Sequence, residues 1–126
     1  MSFATLLETQ WAGYAERHQD RVNLILHIVA VPLFWWGAID MLGSILFSGL
    51  FAAFDGLLLI VVSVFLQGLG HDREAVAPEP WAGAWVFAQR LVAEQFVNFP
   101  RYVIAGTWWR IVGGERAYGD PTAGSR

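Results

Sequence analysis

The stretch that decides the fold runs from Leu24 to Gly70 and reads LILHIVAVPLFWWGAIDMLGSILFSGLFAAFDGLLLIVVSVFLQGLG. Within it only Asp40 and Asp55 carry a full charge, so almost the whole stretch is apolar. A helix that spans a bilayer needs about 20 apolar residues, and this stretch is long enough for two. We therefore predict a transmembrane hairpin, with a first helix at residues 22–43 and a second at residues 51–70.

Small residues mark the predicted turn of this hairpin: Gly43, Ser44, Ser48 and Gly49. Glycine and serine favour turns because glycine adopts positive φ angles and serine hydrogen-bonds to its own backbone. Pro32 lies inside the first predicted helix, where its missing N–H frees a carbonyl and favours a kink.

The composition also indicates a membrane protein. Of the 126 residues, 56% are hydrophobic and 15% are charged, and the mean hydropathy is +0.43. A typical soluble domain has about 45–50% apolar and about 25% charged residues. The net charge of −3 provides no basic surface for nucleic acid, and the absence of cysteine excludes disulfides and thiolate metal sites. We predict one all-α domain, an integral membrane helical bundle.

Weaker patterns flank the hairpin. Residues 2–19 are a predicted amphipathic helix that lies on the membrane surface, because apolar side chains recur at three- and four-residue steps. Residues 75–83 contain two prolines and are a predicted loop. A third hydrophobic block follows at residues 84–112, and the polar tail at residues 114–126 is predicted to be flexible.

Pro100 is expected to divide the third hydrophobic block into an amphipathic helix at residues 82–98 and a shorter helix at residues 101–113. Arg90 and Glu94 are four residues apart, so they could form an ion pair on one face of the first of these helices. The pattern leaves open whether this block crosses the bilayer, enters it partly or lies on its surface.

The arginines predict the orientation of the hairpin. Arg17 and Arg21 precede the first span, Arg73 follows the second, and the connecting turn has neither lysine nor arginine. By the positive-inside rule, both open ends of the hairpin then face the cytoplasm in a multi-pass protein.

This topology is expected to bring the three histidines of the chain to one membrane depth. His18 precedes the first helix of the hairpin and His71 follows the second, so both lie at its open end. His27 lies about one turn into the first helix. Gln67, His71 and Glu74 are spaced i, i+4 and i+7, which gives one polar stripe on a helix. Ionisable residues at membrane depth are costly, so a shared site is the simplest explanation.

A shared site requires a bend in the chain. His18 and His27 are nine residues apart, and a straight helix would place them on opposite faces. The sequence therefore predicts a break near residues 19–22, with Asp20 available to cap the following helix.

Imidazole and carboxylate ligands without thiolate suit Fe(II), Zn or Mn. Histidine and carboxylate with open positions is typical of non-haem Fe(II) oxygenases, whereas three histidines on zinc suit hydrolysis. A third alternative is a non-enzymatic membrane assembly or lipid-binding protein with structural histidines. The composition does not choose between these classes.

Two motifs carry a resemblance to a known family. The first contains Tyr14, His18, Asn23 and His27 followed by Pro32, and the second contains Gln67, Gly70, His71 and Glu74. Their order and spacing, over residues 10–80, resemble those of the small membrane proteins that convert phytosphingosine-derived 2-hydroxy fatty acids to odd-numbered fatty acids. Characterised members are described as Fe(II)-dependent dioxygenases of fatty acid α-oxidation, in the endoplasmic reticulum membrane.

The resemblance implies a site and a reaction. His18, His27 and His71 would be the ligands of an Fe(II) cofactor. Glu74, as a fourth ligand or base, and Tyr14 are the candidate catalytic side chains. The substrates would be a 2-hydroxy fatty acid and O₂, and the acid would lose one carbon.

The surrounding residues have subordinate expected roles. Asn23 and Gln67 are expected to hydrogen-bond to the ligands, although ordinary hydrogen bonding between helices explains them as well. Arg73, Arg17 or Arg21 could pair with the substrate carboxylate, although flanking arginines more often only set topology. Membrane lipids would surround the acyl chain, and two spans alone make a thin scaffold, which is consistent with a homo-oligomer.

Overall fold

The computed structural model describes residues 1–114, and every regular element in this range is helical. The α-helices are α1 (Phe3–Ala12), α2 (Arg21–Phe47), α3 (Phe54–His71), α4 (Ala84–Ala93), α5 (Phe99–Ile104) and α6 (Thr107–Val112). A 3₁₀ turn at Ala15–Arg17 follows α1, and another at Phe51–Ala53 precedes α3. A π-helical segment at Glu94–Asn98 links α4 and α5. The all-α prediction is confirmed for these residues, and most of the predicted tail lies outside them.

Helices α2 and α3 form the predicted hairpin, and both are long and apolar enough to cross a membrane. Helix α2 contains Pro32, as predicted, and continues beyond the predicted residue 43 to Phe47. The turn is therefore shorter than predicted, and Gly49 has a φ of 97°, a conformation that favours glycine.

Two glycines let α2 and α3 approach closely at the middle of the hairpin. A Cβ atom on Gly37 would lie 2.7 Å from the carbonyl oxygen of Gly56, and one on Gly56 would lie 2.5 Å from that of Gly37. Nearer the open ends, the Ser63 hydroxyl donates to the Ala30 carbonyl at 2.6 Å. Small side chains and one interhelical hydrogen bond thus fix the register between the two long helices.

The predicted bend between the first two histidines is confirmed. Helix α1 ends at Ala12, earlier than the predicted residue 19, and the backbone from His18 to Asp20 is not helical. Helix α2 begins at Arg21, and the Asp20 side chain caps it by accepting the Asn23 N–H at 3.0 Å. The chain therefore changes direction between His18 and His27.

The third hydrophobic block departs from the prediction. Pro100 does not divide it, because proline is tolerated in the first turn of α5. The helical path instead continues to Ile104 and breaks at Gly106, whose φ of 86° is left-handed. The predicted helix boundaries in this block, residues 98 and 101, were therefore wrong.

The C-terminal helices pack against the first half of α2. The Tyr102 hydroxyl donates to the His18 carbonyl at 2.8 Å, and the Trp108 indole N–H donates to the Leu24 carbonyl at 2.9 Å. Both bonds tie α5 and α6 to the segment that carries the first two histidines. The buried core around them consists of Tyr14, Leu24, Val31, Phe99, Tyr102, Trp108 and Ile111.

The distal half of the hairpin exposes large apolar side chains. Trp36 is 67% exposed and Phe51 is fully exposed. Further apolar side chains of α2, α3 and the turn are more than half exposed: Ile39, Leu42, Leu46, Phe47, Leu50, Phe54, Leu58, Val61 and Phe65. Large exposed apolar patches are rare on soluble monomers.

Candidate metal centre

The structure brings the three histidines together. His18 lies in the bend before α2, His27 lies near the start of α2, and His71 ends α3. One ring nitrogen from each of the three lies within 4.8 Å of those of the others. The sequence prediction that the three histidines share one place is therefore confirmed.

Backbone carbonyls orient two of the rings. Nδ1 of His18 lies 2.8 Å from the Tyr14 carbonyl, and Nδ1 of His27 lies 2.9 Å from the Asn23 carbonyl. A carbonyl only accepts, so each Nδ1 carries the proton in the neutral ring and Nε2 keeps its lone pair. Metal-ligating histidines are commonly oriented in this way.

The nitrogens left over in this arrangement are buried without a hydrogen-bond partner among the described residues. They are Nε2 of His18, Nε2 of His27 and Nδ1 of His71. His18 is 3% exposed and His27 is fully buried. An unsatisfied buried polar atom costs about 1–3 kcal/mol, and a metal ion held by the three histidines could satisfy these nitrogens.

A carboxylate that the sequence reasoning did not select lies beside the histidines. Oε1 of Glu94 is 3.4 Å from Nε2 of His18 and 3.5 Å from Nε2 of His27. The Tyr14 hydroxyl donates to the same oxygen at 2.8 Å. The sequence did contain one signal for Glu94, because it is an acidic residue within an apolar block. Burying such a charge is costly, so a functional role is the default explanation.

Arg90 is not the partner of Glu94. Its guanidinium instead lies 3.0 Å from Oε2 of Glu79 and donates to the Pro80 carbonyl at 2.7 Å. The spacing of four residues suggested a pair on one helix face, but the loop before α4 supplies a closer carboxylate. Glu94 is thus left to face the histidines.

The π-helical segment explains how Glu94 turns inward. A π-helix has more residues per turn than an α-helix, and it often occurs at functional sites. Glu94, Gln95 and Asn98 of this segment are all buried. Tyr14 stacks on the His18 ring, with the ring centres 3.7 Å apart, and closes the site on the side of α1.

The electrostatics favour a negative Glu94. Burial would raise the pKa of its carboxyl, but the neighbouring His18 and His27 rings and the hydrogen bond from Tyr14 outweigh burial and lower the pKa to about 2. Burial and the adjacent Glu94 carboxylate raise the pKa of Tyr14 well above its ordinary value. The pair therefore consists of a protonated phenol that donates and a carboxylate that accepts.

Glu74, the expected fourth ligand or base, has other partners. Its carboxylate accepts the backbone N–H groups of Gln19 and Asp20, both at 2.9 Å, and the Asn23 side-chain amide at 2.7 Å. A carboxylate is stabilising near a helix N-terminus, because the N–H groups there are unpaired and the helix dipole is positive. The geometry gives Glu74 a structural place, and Glu94 takes the position beside the histidines.

Of Asn23, Gln67 and Arg73, only Asn23 contacts a histidine ring through a hydrogen bond. Asn23 orients His27 through its backbone carbonyl, while its side chain holds Glu74. Gln67 forms a reciprocal amide pair with Gln95, with bonds of 3.0 and 2.8 Å, so it contacts no histidine through a hydrogen bond. Arg73 pairs with Asp20 at 3.2 Å, and its side chain is 53% exposed.

A cavity of about 430 Å³ opens beside this centre. His18, His71 and Glu94 are among the residues that line it. Its apolar wall includes Val64, Trp81, Phe87 and Leu91, from α3, the loop before α4, and α4 itself. The cavity has the size of a small-molecule site, and most of its lining surface is apolar.

The donor set fits a divalent transition metal. Three neutral imidazoles and one carboxylate suit Fe(II), Zn or Mn. Ligand atoms bound tetrahedrally at about 2.0–2.1 Å from a metal lie about 3.3–3.4 Å from each other, close to the separations between Glu94 and the two histidines. These separations are longer than the 2.7–2.9 Å of a short charge-assisted hydrogen bond.

Comparison of the chain with protein-family models, curated proteins and solved structures finds no match.

Proposed function

We propose that this protein is an Fe(II)-dependent dioxygenase that shortens 2-hydroxy fatty acids by one carbon at a membrane interface. The observation that carries the proposal is the cluster of three buried histidines with unpartnered ring nitrogens beside the Glu94 carboxylate. Structural histidines would be expected to have these nitrogens hydrogen-bonded, because buried polar groups generally are. The arrangement therefore favours a metal site over a purely structural cluster.

Membrane association is supported by the surface of the hairpin. Only 39% of the apolar window in the first long helix and 22% of that in the second are buried within the protein. A core helix of a soluble protein would be covered far more completely. We propose that lipid covers this surface and that the arginine-rich ends of the hairpin face the cytoplasm.

The choice of reaction rests on the two sequence motifs together with the cavity. A bound Fe(II) would supply the activation of O₂, which the side chains of the chain cannot perform themselves. In the balanced reaction, the 2-hydroxy acid and O₂ give the acid one carbon shorter, CO₂ and water. The C1–C2 bond breaks, C2 becomes the new carboxyl carbon, and the four electrons lost by carbon reduce O₂.

The residues of the chain have defined parts in this reaction. His18, His27, His71 and Glu94 would hold the metal, and Tyr14 fixes the carboxylate through its hydrogen bond. We propose that the acyl chain lies along the apolar wall of the cavity, with the head of the acid beside the histidines that also line it. The mostly apolar enclosure also limits access of water to the reacting carbon.

Zinc-dependent hydrolysis is the second candidate, because the separations of 3.4 and 3.5 Å between the Glu94 carboxylate and the His18 and His27 nitrogens also suit tetrahedral zinc. The test uses protein in lipid nanodiscs, loaded anaerobically with iron or with zinc, and supplied with 2-hydroxyhexadecanoate and O₂. Mass spectrometry should show pentadecanoate with the iron form only, and none with His71→Ala. Unchanged 2-hydroxy acid with iron-loaded wild-type protein would overturn the dioxygenase proposal, and ester hydrolysis by the zinc form would favour the alternative.

A further inference from the structure

Two cations line the cavity beside the metal centre, and they differ in their partners. Arg90 is neutralised by Glu79. Arg17 forms no ion pair with any carboxylate of residues 1–114, although Asp72 also borders the cavity. Arg17 therefore presents a positive charge to the same space as His18.

The backbone holds the Arg17 side chain in place. Its Nε donates to the Ala77 carbonyl at 3.0 Å, and its Nη1 donates to the Gly13 carbonyl at 3.2 Å. Gly13 also provides the space, because a Cβ atom at this position would overlap the guanidinium. These bonds use two of the five N–H groups of the guanidinium and leave the others available to a ligand.

We propose that Arg17, seated on Gly13, binds the carboxylate of a single-chain fatty acid whose acyl chain lies along the apolar wall of the cavity. This subsite rests on the proposed function, since it identifies the group that recognises the head of that substrate. A guanidinium fixed in position suits a carboxylate, because its planar N–H fork matches the two oxygens. The sequence suggested Arg17, Arg21 or Arg73 for this role, and Arg73 is engaged by Asp20 and does not line the cavity.

The apolar wall and the cation together define the ligand class. Val64 and Leu91 contribute from α3 and α4, and Trp81 and Phe87 add aromatic surface. A neutral lipid would fill this wall and leave the Arg17 charge without a partner. The carboxylate should therefore contribute selectivity that chain length alone cannot provide.

The test compares the binding of two ligands to metal-free protein in nanodiscs. The ligands are radiolabelled 2-hydroxyhexadecanoate and 1,2-hexadecanediol, which share chain and hydroxyl but differ in charge. Wild-type protein should prefer the acid by about 10- to 100-fold, the range expected for a charge-assisted hydrogen bond. Arg17→Gln should bind both ligands about equally, with its affinity for the diol unchanged.

Matched variants make the result specific. Arg21→Gln removes the same charge from an exposed position four residues away and should keep the full preference. Arg17→Lys should keep part of it, and Gly13→Ala should lose most of it by displacing the guanidinium. Retained affinity for the diol shows that each variant is folded.

The subsite would be overturned if Arg17→Gln kept the wild-type preference, or if Arg21→Gln lost as much. Because the binding assay uses metal-free protein, its outcome is independent of the oxygenase reaction. Preference for the acid without chain shortening by iron-loaded protein would refute the dioxygenase and retain the subsite.

Discussion

Replacing Glu94 by glutamine tests whether this residue, rather than Glu74, completes the metal centre. The substitution keeps the shape of the side chain but removes a negative charge 3.4–3.5 Å from two imidazole nitrogens. Mutating even groups that only support the ligands typically costs 10- to 100-fold in metal affinity. We therefore expect Glu94→Gln to weaken metal binding by about 100-fold or more.

The metal-free protein should also be affected. The lowered pKa of Glu94 means that the folded protein favours the charged carboxylate over a neutral group, so an amide at position 94 should lower the free energy of unfolding. Glu74→Gln should lower the free energy of unfolding by about 2–3 kcal/mol, because charged hydrogen bonds from the Gln19 and Asp20 N–H groups, just before α2, are lost. Its metal affinity should stay within about threefold of that of the wild type.

The assay is competition for Co(II) against a chromophoric chelator, together with denaturant unfolding of metal-free protein in detergent. Co(II) also gives a visible absorption band that reports its coordination. Loss of metal affinity in Glu74→Gln with retention in Glu94→Gln would refute this assignment, and it is the pattern expected if Glu74 were the fourth ligand.

Three further predictions concern the scaffold and the metal. Gly56→Ala should destabilise the protein by about 1–3 kcal/mol, because the added methyl would lie 2.5 Å from the Gly37 carbonyl oxygen. Gly43→Ala has open space and should be neutral or stabilising. Equal thermal unfolding of the two variants would contradict this packing. Gln67→Leu should lower the free energy of unfolding by about 1–3 kcal/mol, because it leaves the buried Gln95 amide without its partner. The double variant with Gln95→Leu should recover most of this loss. Additive losses in a double-mutant cycle would argue against the amide pair. Removing the metal with a chelator should lower the melting temperature, because a ligand at 100 times its Kd stabilises the folded state by about 2.7 kcal/mol. A melting curve that does not change with chelator would show that no metal was bound to the folded protein.

Much of the architecture could be predicted from residue patterns alone. A long apolar stretch with two charges predicts a helical hairpin, and the nine-residue spacing of His18 and His27 required the bend that the structure contains. The boundaries in the third block were missed because Pro100 lies in the first turn of α5, where proline is compatible with a helix.

The composition of the site was harder to predict, because it depends on contacts distant in sequence. Glu94 is 67 residues from His27 along the chain, since 94 − 27 = 67, and no local spacing links them. Its inward orientation depends on a π-helical segment, for which the sequence has no simple signature. Glu74 matched the spacing of a polar stripe with Gln67 and His71, but α3 ends at His71. The Glu74 carboxylate instead accepts the Gln19 and Asp20 N–H groups just before α2.

The most direct test of the account is the metal content of the purified protein, measured by mass spectrometry with His18→Ala, His27→Ala and His71→Ala in parallel. We predict about one iron per chain in the wild-type protein and loss of that iron in each single variant, because each removes a ligand from one centre. A wild-type protein that binds no metal in iron-replete medium, or variants that keep a full complement, would contradict the account.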